Sequence, residues 1–310
     1  MKTTNSILLS VLAVTAIIIS GCDDKPKPNP DQNVETVRAG KAEILCDESI
    51  YELIKNIKPV YDTAFPDAKI VLKAVTARAA MSELFAVKAR GIIVARDYMR
   101  DEDSALKANN RQTHPHFLIA KDGLVFYVKS GFSLDTISKS QLSELLLNPT
   151  QTFKNYFPNL SSEPSIILPS TNSSEYANIL RFITNNQLPK HSYIVVESPD
   201  SVKLLVKNGM GIGVGYLSQI VKDTSLKALM IGYDDSTGEH VSPKPVHQSY
   251  MVMEKYPFVV PIYGYIQEER QNLPWGFLTF MRTDPRIQQY FLNAGIVPGF
   301  GKFDLVPLED

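Results

Sequence analysis

The stretch AEILCDESIYELIKNIKPVYDTAFPDAKIVLKAVTARAAMSELFAVKARGIIVA, residues 42–95, alternates short apolar runs with longer segments of helical period. Ala42–Cys46, Lys69–Ala74 and Gly91–Ala95 have the length and apolar content of buried strands. Apolar residues at helical spacing between the first two strands predict a helix that ends near Phe65. Strands that alternate with helices in this way predict βαβ units and a parallel sheet.

The same alternation continues through the rest of the chain. Phe117–Ala120 and Leu124–Lys129 flank the turn-forming triplet Lys121-Asp122-Gly123, so the pattern predicts a hairpin there. Further helices are predicted at Ala79–Lys88, Ser138–Leu147, Ser174–Asn185, Asp200–Asn208, Pro274–Thr283 and Pro285–Asn293, and further strands at Ser165–Leu168, Tyr193–Val196, Gly209–Gly215 and Tyr256–Ile266. The fold class predicted from this order is α/β.

The N-terminus has the features of an export signal. Lys2 precedes the apolar run Ile7–Ile19, and Ser20-Gly21-Cys22 follows it. The apolar run is shorter than the roughly 20 residues that cross a bilayer. Ile19–Cys22 resembles a bacterial lipobox, which implies a signal peptide over residues 1–21 and acylation of Cys22. The alternative is an ordinary secretory signal with a chance cysteine.

The segment that follows Cys22 predicts a tether. Residues 23–36, DDKPKPNPDQNVET, combine charges with prolines and lack an apolar period. Such a segment buries too little apolar surface to fold by itself. We therefore expect a flexible tether over residues 22–40 and a globular body from residue 41, held at a membrane and facing the periplasm or the exterior.

The composition excludes several classes of function. The chain has Lys+Arg 32 and Asp+Glu 33, a formal net charge of −1, which leaves no basic footprint for nucleic acid. With Cys22 acylated, Cys46 is the remaining cysteine, so we expect no disulfide within the mature chain. No catalytic, metal-binding or cofactor-binding motif stands out, and we expect neither an enzyme nor a cofactor.

Three predicted helices begin with residues that suit an oxyanion ligand. Each follows a predicted strand, and unpaired N–H groups at a helix N-terminus attract anions. Hydroxyls and a guanidinium would complete such a site. The alternative is that these residues are ordinary helix caps. The candidate ligand-binding residues at the three helix starts are Ser49, Thr76, Arg78, Ser173 and Ser174.

A set of ordered fragments carries a family resemblance. The fragments are Arg90–Asp97, Phe132–Ser138, Met210–Tyr216, Tyr256–Phe258 and Gly295–Pro298. In order and spacing they resemble the phosphate-binding branch of the substrate-binding proteins of ABC importers, over roughly residues 41–300. The resemblance implies a two-lobed type II periplasmic-binding-protein-like fold, in which each lobe is a mixed sheet flanked by helices and the ligand cleft lies between the lobes.

The resemblance also implies lobe boundaries and two further site residues. Lobe 1 would comprise residues 41–118 and 257–310, and lobe 2 residues 119–256. Arg96 would supply positive charge, and Asp97 stands where the family keeps an acid that accepts a proton from phosphate. The alternative for this pair is a surface ion pair at a strand end.

Two departures from the family bear on the ligand. Leu168-Pro169 stands where the family has an arginine in the second lobe, and Ser173-Ser174-Glu175 replaces its Ser-Gly-Thr. A carboxylate at Glu175 would repel a dianion, so Arg78 or Arg96 would have to compensate, or the ligand is not phosphate.

These observations predict a monomeric, membrane-anchored lipoprotein that captures a small oxyanion, with phosphate as the first candidate, and passes it to an ABC permease in the inner membrane. One alternative is a sensor or assembly lipoprotein that keeps the fold without transport. The other, less favoured, is an anchored hydrolase.

Overall fold

The computed structural model describes residues 35–190, 193–267 and 271–301. The predicted signal peptide, Cys22 and residues 22–34 of the predicted tether lie outside the described residues, as do residues 302–310 of the predicted lobe 1.

The helices begin and end close to the predicted positions. In chain order they are α1 (Tyr51–Ala64), α2 (Ala77–Phe85), α3 (Arg100–Ala108), α4 (Lys139–Leu147), α5 (Phe153–Tyr156), α6 (Ser174–Phe182), α7 (Pro199–Lys207), α8 (Leu217–Ile220), α9 (Gln248–Val252), α10 (Leu273–Thr283) and α11 (Pro285–Asn293). Helix α3 lies in a stretch for which the sequence pattern predicted no element. Within the described ranges, no helix is long and apolar enough to cross a membrane.

The strands form one long mixed sheet and one small sheet. In chain order they are β1 (Gly40–Asp47), β2 (Ala68–Val75), β3 (Gly91–Val94), β4 (His116–Lys129), β5 (Thr136–Ser138), β6 (Ser165–Leu168), β7 (Ile194–Val195), β8 (Gly211–Tyr216), β9 (Leu226–Ala228), β10 (Met230–Asp234), β11 (His240–Lys244), β12 (Val259–Ile266) and β13 (Val297–Pro298). The long sheet has the order β2-β1-β3-β12-β4-β8-β6-β7, and the small one β11-β10-β5.

Both ends of the long sheet are parallel, and its centre is antiparallel. β1 runs parallel to β2 and β3, and β6 runs parallel to β7 and β8. β12 and β4 lie antiparallel between these two parallel groups. The carboxyl ends of β1, β2, β3 and β6 lead directly, or through a short loop, to the candidate site residues.

The predicted hairpin at residues 117–129 is wrong. His116–Lys129 is one continuous strand, β4, whose first half pairs with β12 and whose second half pairs with β8 and β9. Pairing along both halves outweighs the local turn preference of the Lys-Asp-Gly triplet, because each half completes a different ladder. The side chain of Asp122 is fully buried and accepts hydrogen bonds from the amides of Gly123 (2.7 Å) and Ser218 (3.3 Å).

The division into two lobes at residues 118/119 and 256/257 stays a prediction. The first of these points lies inside β4, and the second lies just before β12. The main apolar core contains residues from both predicted lobes, including Ile44, Phe126 and Phe277. A smaller core packs α2 against β3 through Met81, Leu84 and Val94.

The last residues of the predicted tether contact the body. The Arg90 guanidinium donates to both carboxylate oxygens of Glu35, at 2.7 and 2.5 Å. The backbone carbonyl of Val37 lies against Gly276 in α10, at a position that a Cβ atom would occupy. Glycine at position 276 therefore permits this close approach of two backbone segments.

Candidate functional site

The buried Asp47 carboxylate joins the carboxyl ends of β1 and β3. Its Oδ1 accepts a hydrogen bond from the Ser49 amide (3.1 Å), and its Oδ2 accepts one from the Ala95 amide (3.1 Å). The side chain has no exposed surface. Hydrogen bonds to a charged group stabilise by about 1.5–3 kcal/mol each, so these two contacts fix the loop that starts α1 against the end of β3.

The starts of α1 and α6 meet at one hydrogen bond. The Ser49 hydroxyl, just before α1, donates to Oε2 of Glu175 in the first turn of α6, at 2.6 Å. Ser173 caps α6 by accepting a hydrogen bond from the Tyr176 amide (3.2 Å). We call Ser49, Ser173, Ser174 and Glu175, all buried, the helix-end junction.

A second set of hydrogen bonds fastens α6 to the end of β3. The Asn178 amide donates to the Ala95 carbonyl (2.8 Å) and to the Tyr216 hydroxyl (3.0 Å). The Tyr216 hydroxyl in turn donates to the same Ala95 carbonyl (3.2 Å). Gln219 donates to the Ser49 carbonyl at 2.6 Å. The candidate site is therefore closed around the junction by contacts between the two predicted lobes.

Two buried carboxyl groups face each other here, and burial raises the pKa of both. Desolvation raises the pKa of Glu175 well above its usual range, the nearby Asp47 charge adds to this effect, and the Ser49 hydroxyl opposes it. Desolvation also raises the pKa of Asp47, although the Ser174 hydroxyl and the Ala95 and Ser49 amides lower it in part. The Ser174 hydroxyl has no hydrogen bond of normal geometry among the described residues, yet it lies close enough to Asp47 to affect that pKa. The pair therefore favours holding a proton.

The two candidate arginines are engaged by acids of α3. Arg96, 2% exposed, donates from both terminal nitrogens to the Glu102 carboxylate, 4% exposed, at 2.7 and 2.8 Å. Arg78 donates to Glu102 (3.0 Å) and to both carboxylate oxygens of Asp101. Among the described residues, neither arginine side chain donates a hydrogen bond to the helix-end junction. Both still contribute positive charge close to it, and Arg96 opposes the rise in the Asp47 pKa.

Thr76 and Asp97 lie at the edges of the site. Thr76 caps α2 by accepting a hydrogen bond from the Ala79 amide at 3.3 Å, which matches the helix-cap alternative. Asp97 accepts hydrogen bonds from the Tyr98 amide (2.8 Å), the Tyr265 hydroxyl (3.3 Å) and Arg181 (3.3 Å). The alternative of a surface ion pair between Arg96 and Asp97 is not observed, because Arg96 is buried against Glu102 and the half-exposed Asp97 side chain pairs with Arg181.

The structure thus brings Ser49, Ser173 and Ser174 together and leaves Thr76 and Asp97 at the edges. Sequence reasoning missed Glu102, the partner of both arginines, because no element was predicted where α3 lies. The run Asp101-Glu102-Asp103 was an available signal, since acids are common in the first turn of a helix. It also missed Asn178 and Tyr216, which no local motif marks.

Cavities flank the helix-end junction on two sides. One, of about 290 Å³, is lined by Ser49 and Gln219 together with Glu48, Glu52 and Lys203. The other, of about 420 Å³, is lined by Ser173 together with the three arginines 78, 96 and 100. In the part of the chain that the structure describes, no group of three His, Cys, Asp or Glu side chains is placed to hold a metal ion.

Comparison with protein families and solved structures supports the predicted fold. The model of the PBP superfamily domain matches residues 32–285. No curated protein is similar enough in sequence to match the chain. The predicted fold class is confirmed as a mixed α/β fold of the type II periplasmic-binding-protein kind, with a curled central sheet and flanking helices.

Three solved structures illustrate the likeness. One is a Clostridium perfringens protein assigned as a phosphate ABC transporter substrate-binding protein, with bound phosphate (TM-score 0.69, 14% identity, covering 84% of this chain and 99% of the other). A second is an ABC-type phosphate transport receptor from Vibrio cholerae (TM-score 0.63, 16% identity, covering 84% of this chain and 100% of the other). A third is the CcmR regulatory domain of Synechocystis in complex with 2-PG (TM-score 0.54, 12% identity, covering 78% of this chain and 95% of the other). At these identities the likeness concerns the fold.

The buried Arg96–Glu102 pair predicts a large loss of stability when one partner is neutralised. In Glu102→Gln, Arg96 keeps its charge in a buried position without a carboxylate, and such a change costs about 3–5 kcal/mol. Denaturant unfolding measures this loss. The control is Asp101→Asn, which removes the exposed partner of Arg78 and should cost no more than about 1 kcal/mol. Equal losses in the two variants would contradict the buried-pair account.

The junction carboxyls predict that stability falls as pH rises. Their pKa values are higher in the folded chain than in the unfolded chain, so the folded state binds more protons once pH exceeds the ordinary carboxyl range. The free energy of unfolding should decrease between pH 5.5 and 8.5, by up to about 1.4 kcal/mol per pH unit for each proton. Glu175→Gln should flatten this decrease, and Glu52→Gln, at an exposed position of α1, should not. The free energy of unfolding is measured by urea unfolding at each pH. If it depends on pH in the same way in the wild type and in Glu175→Gln, this assignment is contradicted.

Proposed function

The chain belongs to the PBP superfamily, and on that premise we propose that it is a membrane-anchored binding lipoprotein that captures a small oxyanion for an ABC importer. Phosphate is the first candidate ligand. The proposal combines three parts: an anchor at Cys22, a ligand site at the helix-end junction, and delivery to a permease.

One observation carries the ligand part of the proposal. The Ser49 hydroxyl donates to Oε2 of the Glu175 carboxyl group at 2.6 Å. A carboxyl oxygen accepts this hydrogen bond as an oxygen of phosphate would, so the hydroxyl is directed at the position that we propose for the ligand.

The charges around the junction favour a ligand that carries a proton. Asp47 and Glu175 would repel a fully ionised anion, whereas an anion with an O–H group can donate to a carboxylate. Hydrogen phosphate has such a group and sulfate at neutral pH does not. The cavity lined by the three arginines is also lined by Asp101, and acids of α3 pair with two of the arginines, so its positive charge is partly offset for either anion.

The solved structures of similar fold support a binding role rather than an enzymatic one. The Clostridium perfringens and Vibrio cholerae proteins are both named for phosphate transport, and the first contains bound phosphate. The Ser249 hydroxyl lies 2.8 Å from Nδ1 of His247, but this pair is local and exposed, so it gives the hydrolase alternative little support.

Calorimetry tests the ligand. We expect the wild-type protein to bind phosphate and to prefer it to sulfate at the same pH. Ser49→Ala should weaken phosphate binding by roughly tenfold to a hundredfold, because one hydrogen bond to a charged group is lost. Ser140→Ala, at an exposed position of α4, is the control and should bind as the wild type does. Absence of heat with phosphate, sulfate, molybdate and organic anions alike would contradict oxyanion capture.

Membrane partition of the full-length chain tests the anchor. When expressed in a bacterium that processes lipoproteins, the wild type should appear in the membrane fraction with the mass of an acylated chain starting at residue 22. Cys22→Ser removes the thiol that carries the lipid, so this variant should be released from membranes or retain its signal sequence. Recovery of unmodified, soluble wild-type protein would contradict anchoring.

A second candidate function is a sensor or assembly lipoprotein without transport. It is favoured by the engagement of Arg78 and Arg96 with α3 acids, which leaves the junction without a guanidinium in direct contact. The likeness in fold to a regulatory domain that binds 2-PG is compatible with such a role. Under this alternative the wild type binds none of the inorganic anions, and the calorimetry above separates the two functions.

A further inference from the structure

The Glu175 side chain departs from the usual behaviour of an acid in the first turn of a helix. Such acids normally remain at the surface, where they interact with the helix dipole while staying hydrated. Glu175 has no exposed surface and reaches Ser49, which is 126 positions away in the sequence. Its location is therefore set by a tertiary contact.

The surroundings of the Glu175 carboxyl group satisfy only one of its two oxygens. Oε2 accepts the Ser49 hydrogen bond, whereas Oε1 has no hydrogen-bond partner among the described residues. Asp47, also buried, faces it from the end of β1 and raises its pKa. A buried polar atom without a partner destabilises the folded chain. The arrangement resembles an occupied ligand site in which the occupant fits the donors imperfectly.

We propose that the Glu175 carboxyl group is an internal ligand, which occupies the oxyanion position of the helix-end junction and which an incoming oxyanion must displace. This inference rests on the proposed function, because the displaced group and the external ligand share one position. Glu175 is then the residue that sets affinity and selectivity at this site.

Two consequences distinguish an internal ligand from a helix cap. First, Glu175 competes with every external oxyanion, so removing its carboxylate strengthens anion binding. Second, Glu175 holds α1 and α6 together in the absence of ligand, so its removal loosens the amides at both helix starts until an anion binds. A simple cap would affect the stability of α6 and leave anion affinity unchanged.

The experiment compares the wild type with Glu175→Thr, Glu175→Gln and the control Glu43→Gln, at an exposed position of β1. Threonine removes the carboxyl group and leaves a hydroxyl, while glutamine keeps the size and cannot ionise. Phosphate affinity is measured by calorimetry at pH 7. Hydrogen exchange of the amides over residues 47–54 and 173–180 is followed with and without phosphate.

We expect Glu175→Thr to bind phosphate at least about tenfold more tightly than the wild type, and Glu175→Gln to lie between the two. Without phosphate, both helix starts should exchange faster in Glu175→Thr, and phosphate should restore their protection. Glu43→Gln should match the wild type in both measurements. Glu175→Gln also serves if Glu175→Thr fails to fold, since the amide can still accept the Ser49 hydrogen bond.

Failure of this inference differs from failure of the proposed function. If the wild type binds phosphate and neither Glu175 variant binds it more tightly, the internal-ligand assignment is overturned while oxyanion capture remains. If neither the wild type nor the variants bind any of the anions tested, oxyanion capture is overturned and the competition at Glu175 falls with it.

Discussion

The Asp47 carboxylate is the contact on which the geometry of the candidate site depends. It is buried at the end of β1 and accepts hydrogen bonds from the backbone of Ala95 after β3 and of Ser49 before α1. Through these bonds it sets where the Ser49 hydroxyl points, and the Ala95 carbonyl on the other side receives Asn178 and Tyr216. One acid therefore fixes both halves of the helix-end junction. A carboxylate that organises backbone amides in this way is costly to bury, and its hydrogen bonds offset the cost.

The like-charge pair of Asp47 and Glu175 is unusual for a structural site. Two carboxyl groups buried together disfavour double ionisation, so the junction holds a proton more readily than either group would alone. Nearby positive charge exists in Arg96, but the buried Glu102 carboxylate neutralises it through two hydrogen bonds. The balance of charge in the site is thus decided by α3, which contributes no residue to the junction itself. Strained or partly satisfied polar groups of this kind are common at functional sites and uncommon in purely structural cores.

The long central strand explains why local sequence signals failed at one place and succeeded elsewhere. The helices and parallel strands of the βαβ units were predictable, because each buries its own apolar face and the periodicity records it. Residues 117–129 were not, since Lys121-Asp122-Gly123 has the composition of a turn but continues β4. Pairing with β12 on one half and with β8 on the other supplies backbone partners along the whole strand. That pairing involves segments about 90 residues apart for β8 and about 140 residues apart for β12, which a local pattern cannot record.

The sequence by itself determined the α/β class, the order of most elements, the helix starts rich in hydroxyls and the presence of an acid at position 175. It determined these features because propensity, capping and periodicity are local properties of the chain. Only the tertiary structure decided which charged groups meet. Glu102 meets Arg96 six positions away and Arg78 24 positions away, because α3 packs beside the starts of both segments, and Glu175 meets Ser49 across 126 positions. Electrostatic partners depend on distance in space, and the fold fixes that distance.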